Sequence, residues 1–403
     1  MDKRLWVLYP LAMIGVMVVW GGVMQVLLGK QVAAAVPGAA ASAAMLGLTL
    51  SLASVSGVIS TPIAGWLSDI TRTKFLGRRN VWIFGSSVAA AAGLVVMSQL
   101  TDPMAITIVW ALLIWPLNSI TGALSTVLPE RVPERFRGRM GGIIGGCVTI
   151  GGALGVTVAG LSQEIFMGYL LIAGIVLICG LVFAFATNDR PAPPVSMLPK
   201  AERKAANKLP GFRAASDYWW AFAGRFLLTF GYASVVSFQL FILRDYIGVG
   251  DVNESATVLV GLTGLSSLLG LVFALVGGTI ADKLGRLRIF VGASTFLFVP
   301  AGLVYIFMPT ITGAYIATGI IGIAYGVYLA VDAALVARVL PNINNAGRDL
   351  GIMNLASSLP QIVAPGIVGL IVGATGNYQL VFVVMIIATA LGALSVKFIK
   401  GVR

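Results

Sequence analysis

The sequence has no histidine, and only 15 of its 403 residues are acidic. Charged side chains of both signs make up 10% of the chain, against roughly 25% in ordinary globular proteins. So few charges cannot cover a water-facing surface, which excludes a soluble domain. Without histidine there is no histidine metal site, proton relay or catalytic set. The two cysteines, Cys147 and Cys179, are too few for a disulfide framework, and each sits in an apolar run as a small buried residue would. No nucleotide loop ending in Gly-Lys-Ser/Thr occurs, so ATP-driven pumping is excluded. The loops are too short to hold a catalytic domain. An enzyme is therefore not expected, nor a cofactor or a metal.

What is present is apolar length. Hydrophobic residues make up 58% of the chain, and there are 49 glycines, which let helices approach closely in lipid. A helix crosses the hydrocarbon core with about 20 residues. The chain divides into twelve apolar runs: 5–29, 42–67, 81–100, 104–128, 140–162, 167–187, 219–243, 256–280, 289–308, 312–337, 350–373 and 379–399. Turn signals separate them, among them Pro37-Gly38, Asp102-Pro103, Pro341-Asn342 and Gly376-Asn377. The runs are continuous rather than alternating and too long for membrane strands, which excludes a barrel. The first run exceeds the 7–15-residue core of a signal peptide and reads as a retained span. The expectation is an all-α membrane protein.

Orientation follows from Lys and Arg, which gather on the cytoplasmic side of membrane proteins. With both termini inside, all of the 27 basic residues except Lys30, Arg225 and Arg244 fall on that side. The net charge of +12 is thus a topology signal, and no nucleic-acid partner is expected. Residues 188–218 carry five prolines and six basic residues and read as a cytoplasmic linker, with a short surface helix near 200–208. The linker separates residues 1–187 from 219–403, six spans each. Short outside loops point to a multi-pass protein of a bacterial plasma membrane, acting as a monomer.

The halves share motifs. After the second run, Gly65 and Asp69 are followed by Gly77, Arg78 and Arg79; after the eighth, Gly278 and Asp282 are followed by Gly285 and Arg286. Val127-Leu128-Pro129, with Arg137 to follow, is matched by Val339-Leu340-Pro341 and Arg348. Both matches lie a little over 200 residues apart, which implies two six-helix units related by an axis along the membrane normal. This twice-used Gly–Asp–Gly–Arg loop resembles the signature of the major facilitator superfamily. The resemblance implies two six-helix bundles around a central cavity, which rock to expose it to either side. It also implies that Gly65, Asp69, Arg78 and Arg79, with Gly278, Asp282 and Arg286, form a conformational latch. Physically, the glycines would let helices approach, and the arginines would pair with acids or cap helix C-termini.

Ionisable residues inside spans are costly and usually functional. Asp332 lies near the end of the tenth run and Arg225 near the start of the seventh. At 1.5 Å per residue both are about 8–10 Å deep on the same side. They are expected to form an ion pair, as a structural element or as a gate or coupling element. The first half has no mid-span acid, so only Asp332 could couple a proton. Amides and aromatics within spans suit a neutral, hydroxyl-rich solute: Trp20, Gln25, Trp115, Asn118, Tyr232, Gln239, Tyr325, Asn354 and Gln361 are the substrate candidates. Trp6, Trp82 and Trp219, near span ends, read as interfacial anchors. The stretches 68–79, Leu350 to Asn354 and Leu359-Pro360-Gln361 are similar to the glycoside and sucrose branch of the superfamily, which implies a sugar or glycoside substrate. Efflux of hydrophobic compounds is the alternative.

Overall fold

The computed structural model describes residues 4–71, 73, 76–189, 215–284, 286–339 and 346–399, without the side chains of Asp69, Ile70, Asp282, Ala333, Ala337, Ala346, Arg348 and Leu350. Most of the expected linker, with the short helix at 200–208, lies outside the described residues. Continuous apolar runs allow only helices in lipid, because each backbone polar group must be satisfied within its own segment. Among the described residues there is no strand. The elements are α1 Leu5–Gly22, a π-helical turn Val23–Leu27, α2 Leu28–Ala35, α3 Ala39–Ile70, α4 Asn80–Met97, α5 Pro103–Ser125, α6 Val127–Arg131, α7 Glu134–Leu161 and α8 Ile165–Ala186. After the linker come α9 Ser216–Val236, α10 Gln239–Phe241, a second π-helical turn Ile242–Ile247, α11 Val252–Leu284, α12 Leu287–Phe296, α13 Phe298–Phe307, α14 Ile311–Val339, α15 Ala346–Thr375 and α16 Gln379–Val396. Among the described residues eleven helices are long and apolar enough to cross a membrane, and twelve if α9 and the segment after it, bent by 45°, form one span.

The first span corrects the sequence reading at its end. It runs through the π turn to Ala35 rather than stopping at 29, so Lys30 is not a loop residue. Its side chain is 1% exposed, and Nζ donates to the carbonyls of Ser162 (2.8 Å) and Ala159 (3.3 Å). Helix C-termini leave carbonyls unpaired and carry partial negative charge. Those of α7 receive the lysine. Gln31 does the same for α4: Nε2 donates to Met97 O (2.7 Å) and Leu100 O (2.8 Å), while Oε1 accepts from the Tyr169 hydroxyl (2.7 Å). One turn of α2 thus caps two other helices.

The first half packs α1 on α7 and α8, α3 on α5, and α4 on α5 and α8. In the second half α9 lies on α16, as α1 lies on α8, and α12 and α13 lie on α14 and α16, as α4 lies on α5 and α8. Cys147 and Cys179 are buried and unbridged. By packing the chain forms two compact units. One comprises Met1–Pro193, Ser237–Thr263 and Val372–Gly376; the other comprises Pro194–Val236, Gly264–Ile371 and Asn377–Arg403. In the first unit the start of α11 lies against the end of α7, so close that a Cβ on Gly160 would sit 2.9 Å from the Ala256 carbonyl. Arg244 reaches the Ser42 hydroxyl (3.3 Å) while its guanidinium holds Asp245 through Nε (2.5 Å) and Nη2 (2.8 Å).

The α1–α7 contact is made backbone to backbone. A Cβ on Gly151 would lie 2.6 Å from Met17 Cβ, and one on Gly155 would run into the Val18 carbonyl. Gly155→Ala therefore forces the helices apart, at a cost of about 1–3 kcal/mol for overpacking. It should lower the thermal unfolding temperature of the detergent-purified protein. Gly174→Ala, where a Cβ meets nothing within 4 Å, should not. Equal melting of the two variants would refute the close-packing account.

Candidate functional site

The second unit brings four of the predicted residues into one register. On α9, Arg225 and Tyr232 are seven residues apart; on α14, so are Tyr325 and Asp332. Seven residues make two helical turns, about 10 Å, and return to the same face. The two pairs meet in antiparallel order. Arg225 Nη2 lies 3.5 Å from Asp332 Oδ2, and the rings of Tyr232 and Tyr325 stack at 4.3 Å with 2° between their planes. Tyr328, one turn before Asp332, donates its hydroxyl to Oδ1 at 2.8 Å, and Arg225 Nε donates to the Ser357 hydroxyl of α15 at 2.7 Å. Both carboxylate oxygens are thus engaged. The pair is mostly shielded, with 21% of the Arg225 side chain and 10% of the Asp332 side chain exposed. A carboxylate held by one cation and one hydroxyl can exchange either partner for a proton or for a substrate hydroxyl. Ser357 was not among the sequence candidates for this site.

The first unit builds a second cluster where α3, α4, α6 and α8 end. Arg78 and Arg79 are both buried, and each sends Nη2 to Glu130 Oε1 at 2.8 Å. Arg79 Nη1 also donates to the Ser68 hydroxyl at 2.8 Å. Asp189 accepts from the backbone N–H of Arg79 and of Asn80 (3.2 Å), capping α4, and pairs with Arg131 at 2.9 Å. Gly77 has φ +86°, and a Cβ there would lie 2.6 Å from Asp189 Cβ. The motif glycine therefore serves both a left-handed turn and the close approach of this acid. Glu130, Asp189, Arg131 and Ser68 were missed by the sequence reading. Glu130 and Arg131 were hidden inside the Leu-Pro repeat, and Asp189 fell in the expected linker.

Other motif residues fare differently. The side chains of Asp69 and Asp282 lie outside the described residues. Gly278 makes a close approach, 3.3 Å from a would-be Cβ to Ala330 Cβ, but at Gly65 a Cβ would meet nothing within 4 Å. The reading of Gly65 as a close-contact glycine is corrected accordingly. Arg286 is exposed and makes no ion pair among the described residues.

The remaining substrate candidates divide by what their polar groups do. Trp115 donates to the Ser56 hydroxyl (3.0 Å), and Asn118 donates to the Ser60 hydroxyl (2.8 Å) and Gly57 O (3.3 Å). These bonds join α5 to α3. Gln239 is only 7% exposed. Gln361 donates to Ser357 O of its own helix. Trp20 and Gln25 are half-buried and Asn354 is exposed. Gln25 sits in the π turn, a distortion frequent at functional sites. None of these three makes a side-chain hydrogen bond among the described residues.

Eleven or twelve apolar helices, packed in a partly repeated scheme with paired ions inside, define a polytopic α-helical membrane protein. The profile of the Major Facilitator Superfamily matches residues 5–328 and 251–401. The chain belongs to that superfamily, and its fold is that of a secondary transporter. No curated protein sequence matches it. Among solved structures it is similar to a variant of the nucleoside transporter NupG, with TM-score 0.74 and 14% identity over 98% of this chain and 99% of that one. It is also similar to a variant of the peptide transporter POT in complex with sulfate, with TM-score 0.72 and 13% identity over 98% and 94%. A third is a bacterial homolog of the human lysosomal transporter Spinster, inward-facing and occupied, with TM-score 0.69 and 15% identity over 98% and 93%.

The Arg225–Asp332 pair yields a test by double-mutant cycle. Removing one partner of a shielded pair strands the other and costs about 3–5 kcal/mol, whereas removing both costs far less. Asp332→Asn and Arg225→Gln should each lower thermal stability in detergent, and the double variant should regain at least half of the larger loss. Strictly additive losses would contradict the pairing.

Proposed function

We propose that the protein carries a small neutral solute across the membrane by alternating access, with a sugar or glycoside as the favoured substrate. The observation that carries this reading is charge neutrality inside the spans. Arg225 faces Asp332, Arg244 faces Asp245, and Lys30 is taken up by carbonyls. None of these cations is left over for a phosphate ester or a dicarboxylate. An indole and two unspent amides remain, at Trp20, Gln25 and Asn354. Such groups bind the C–H and O–H surfaces of polyols.

The moving parts in this proposal are the halves 1–187 and 219–403, joined by the linker 188–218. Asp332, a shielded carboxylate within a span, is the group through which a proton could couple. The Arg78–Arg79–Glu130 cluster acts as the latch at the basic-loop end, with both termini cytoplasmic and the plasma membrane as the site of action. Glu130 stands opposite both arginines.

The substrate reading is tested by uptake into proteoliposomes with sugars, glycosides, a nucleoside and cationic dyes, with and without a pH gradient. A nucleoside is included because NupG, of the same fold, is a nucleoside transporter. Saturable uptake of a sugar without dye movement is expected; dye movement without sugar uptake would establish hydrophobic efflux instead. The latch is tested separately. Glu130→Gln removes the charge shared by two arginines and should shift the conformational equilibrium by about 1–2 kcal/mol, roughly 5–30-fold. Labelling of single cysteines at the basic-loop end should report the change. Unaltered labelling would remove Glu130 from the latch.

A further inference from the structure

Basic residues at the loop end of the first unit fall into two groups. Arg78, Arg79 and Arg131 are committed to Glu130 and Asp189. Arg137 donates to Pro129 O and Val132 O and pairs with Glu134 at 3.6 Å. Arg135 and Arg139 differ. Both are exposed, and neither has a carboxylate within 4.0 Å among the described residues. Each rests on an aromatic ring instead: Arg135 over Phe136 at 4.7 Å, Arg139 over Trp6 at 5.3 Å. The two rings meet edge to face at 5.7 Å. Arg139, Trp6, Phe136 and Arg135 therefore form one continuous ladder across the start of α1 and the start of α7.

Stacking orients a guanidinium while leaving its N–H edge available, and that edge matches the paired oxygens of a phosphate. The arginines are four residues apart on α7, hence neighbours on one helix face. Tryptophan at a span end sits at headgroup level, and juxtamembrane arginines draw anionic lipid. We propose that this ladder seats the phosphate of an anionic phospholipid in the leaflet on the basic-loop side. The phosphate diester lies across the two guanidinium edges, and its glycerol and first methylenes lie along Trp6. Arginines placed only to fix topology need neither the rings nor the fixed spacing.

Native mass spectrometry of the full chain in detergent, titrated with phosphatidylglycerol, phosphatidylethanolamine or inorganic phosphate, tests the proposal. The wild-type protein should retain phosphatidylglycerol over phosphatidylethanolamine. Arg135→Gln/Arg139→Gln should weaken that retention about 10-fold or more. Arg135→Lys/Arg139→Lys keeps the charge, and with it the topology, but loses the planar fork. It should fall between the two, and it serves as the test where the glutamine variant does not fold. Trp6→Leu should also weaken retention. Equal phosphatidylglycerol retention by the wild-type and lysine variants overturns the proposal. So does inorganic phosphate displacing the lipid at equal concentration, which would make the ladder a site for free anions.

Discussion

Lipid offers no hydrogen bonds, so each charge placed between these helices has to meet a counter-charge or a row of carbonyls within the protein. Three arrangements answer that constraint, and each also fixes structure. Arg225 and Asp332 set the register of α9 against α14. Lys30 ties the end of the first span to the end of α7. Arg244 and Asp245 neutralise each other within a π-helical turn, and Arg244 reaches across to α3. Among the described residues these three pairings leave none of Lys30, Arg225 and Arg244 without a partner, and the proposal of a neutral solute rests on that.

The two halves share part of their packing scheme but spend their motifs unequally. In the first, Arg78 and Arg79 converge on one glutamate, and Asp189 draws the end of α8 onto the start of α4. In the second, Arg286 stands exposed.

The span count and the repeat were legible because each depends on local signals, long apolar runs and matched loop residues. The Arg225–Asp332 contact was legible because two lone charges at equal depth have little choice of partner. Tyr232 and Tyr325 were both singled out, yet their stacking was not, since it depends on the antiparallel register that the ion pair imposes. Hydropathy ends the first span at 29, just before Lys30, whereas the helix continues to Ala35 because carbonyls receive that charge. Asp189 and Glu130 were overlooked for a related reason. A residue beside a proline or at the edge of a basic linker carries no sequence mark of the partner that folding brings to it.

Passage of a neutral solute by exposure of one site to each side in turn is tested most directly by counterflow. Proteoliposomes are loaded with an excess of the unlabelled solute identified by uptake and diluted into a trace of the labelled form. A carrier of this kind should accumulate label transiently above its equilibrium level, because exchange on the loaded carrier outpaces net loss. A smooth, one-way approach to equilibrium, with no overshoot, would contradict alternating access and leave the fold without the function assigned to it.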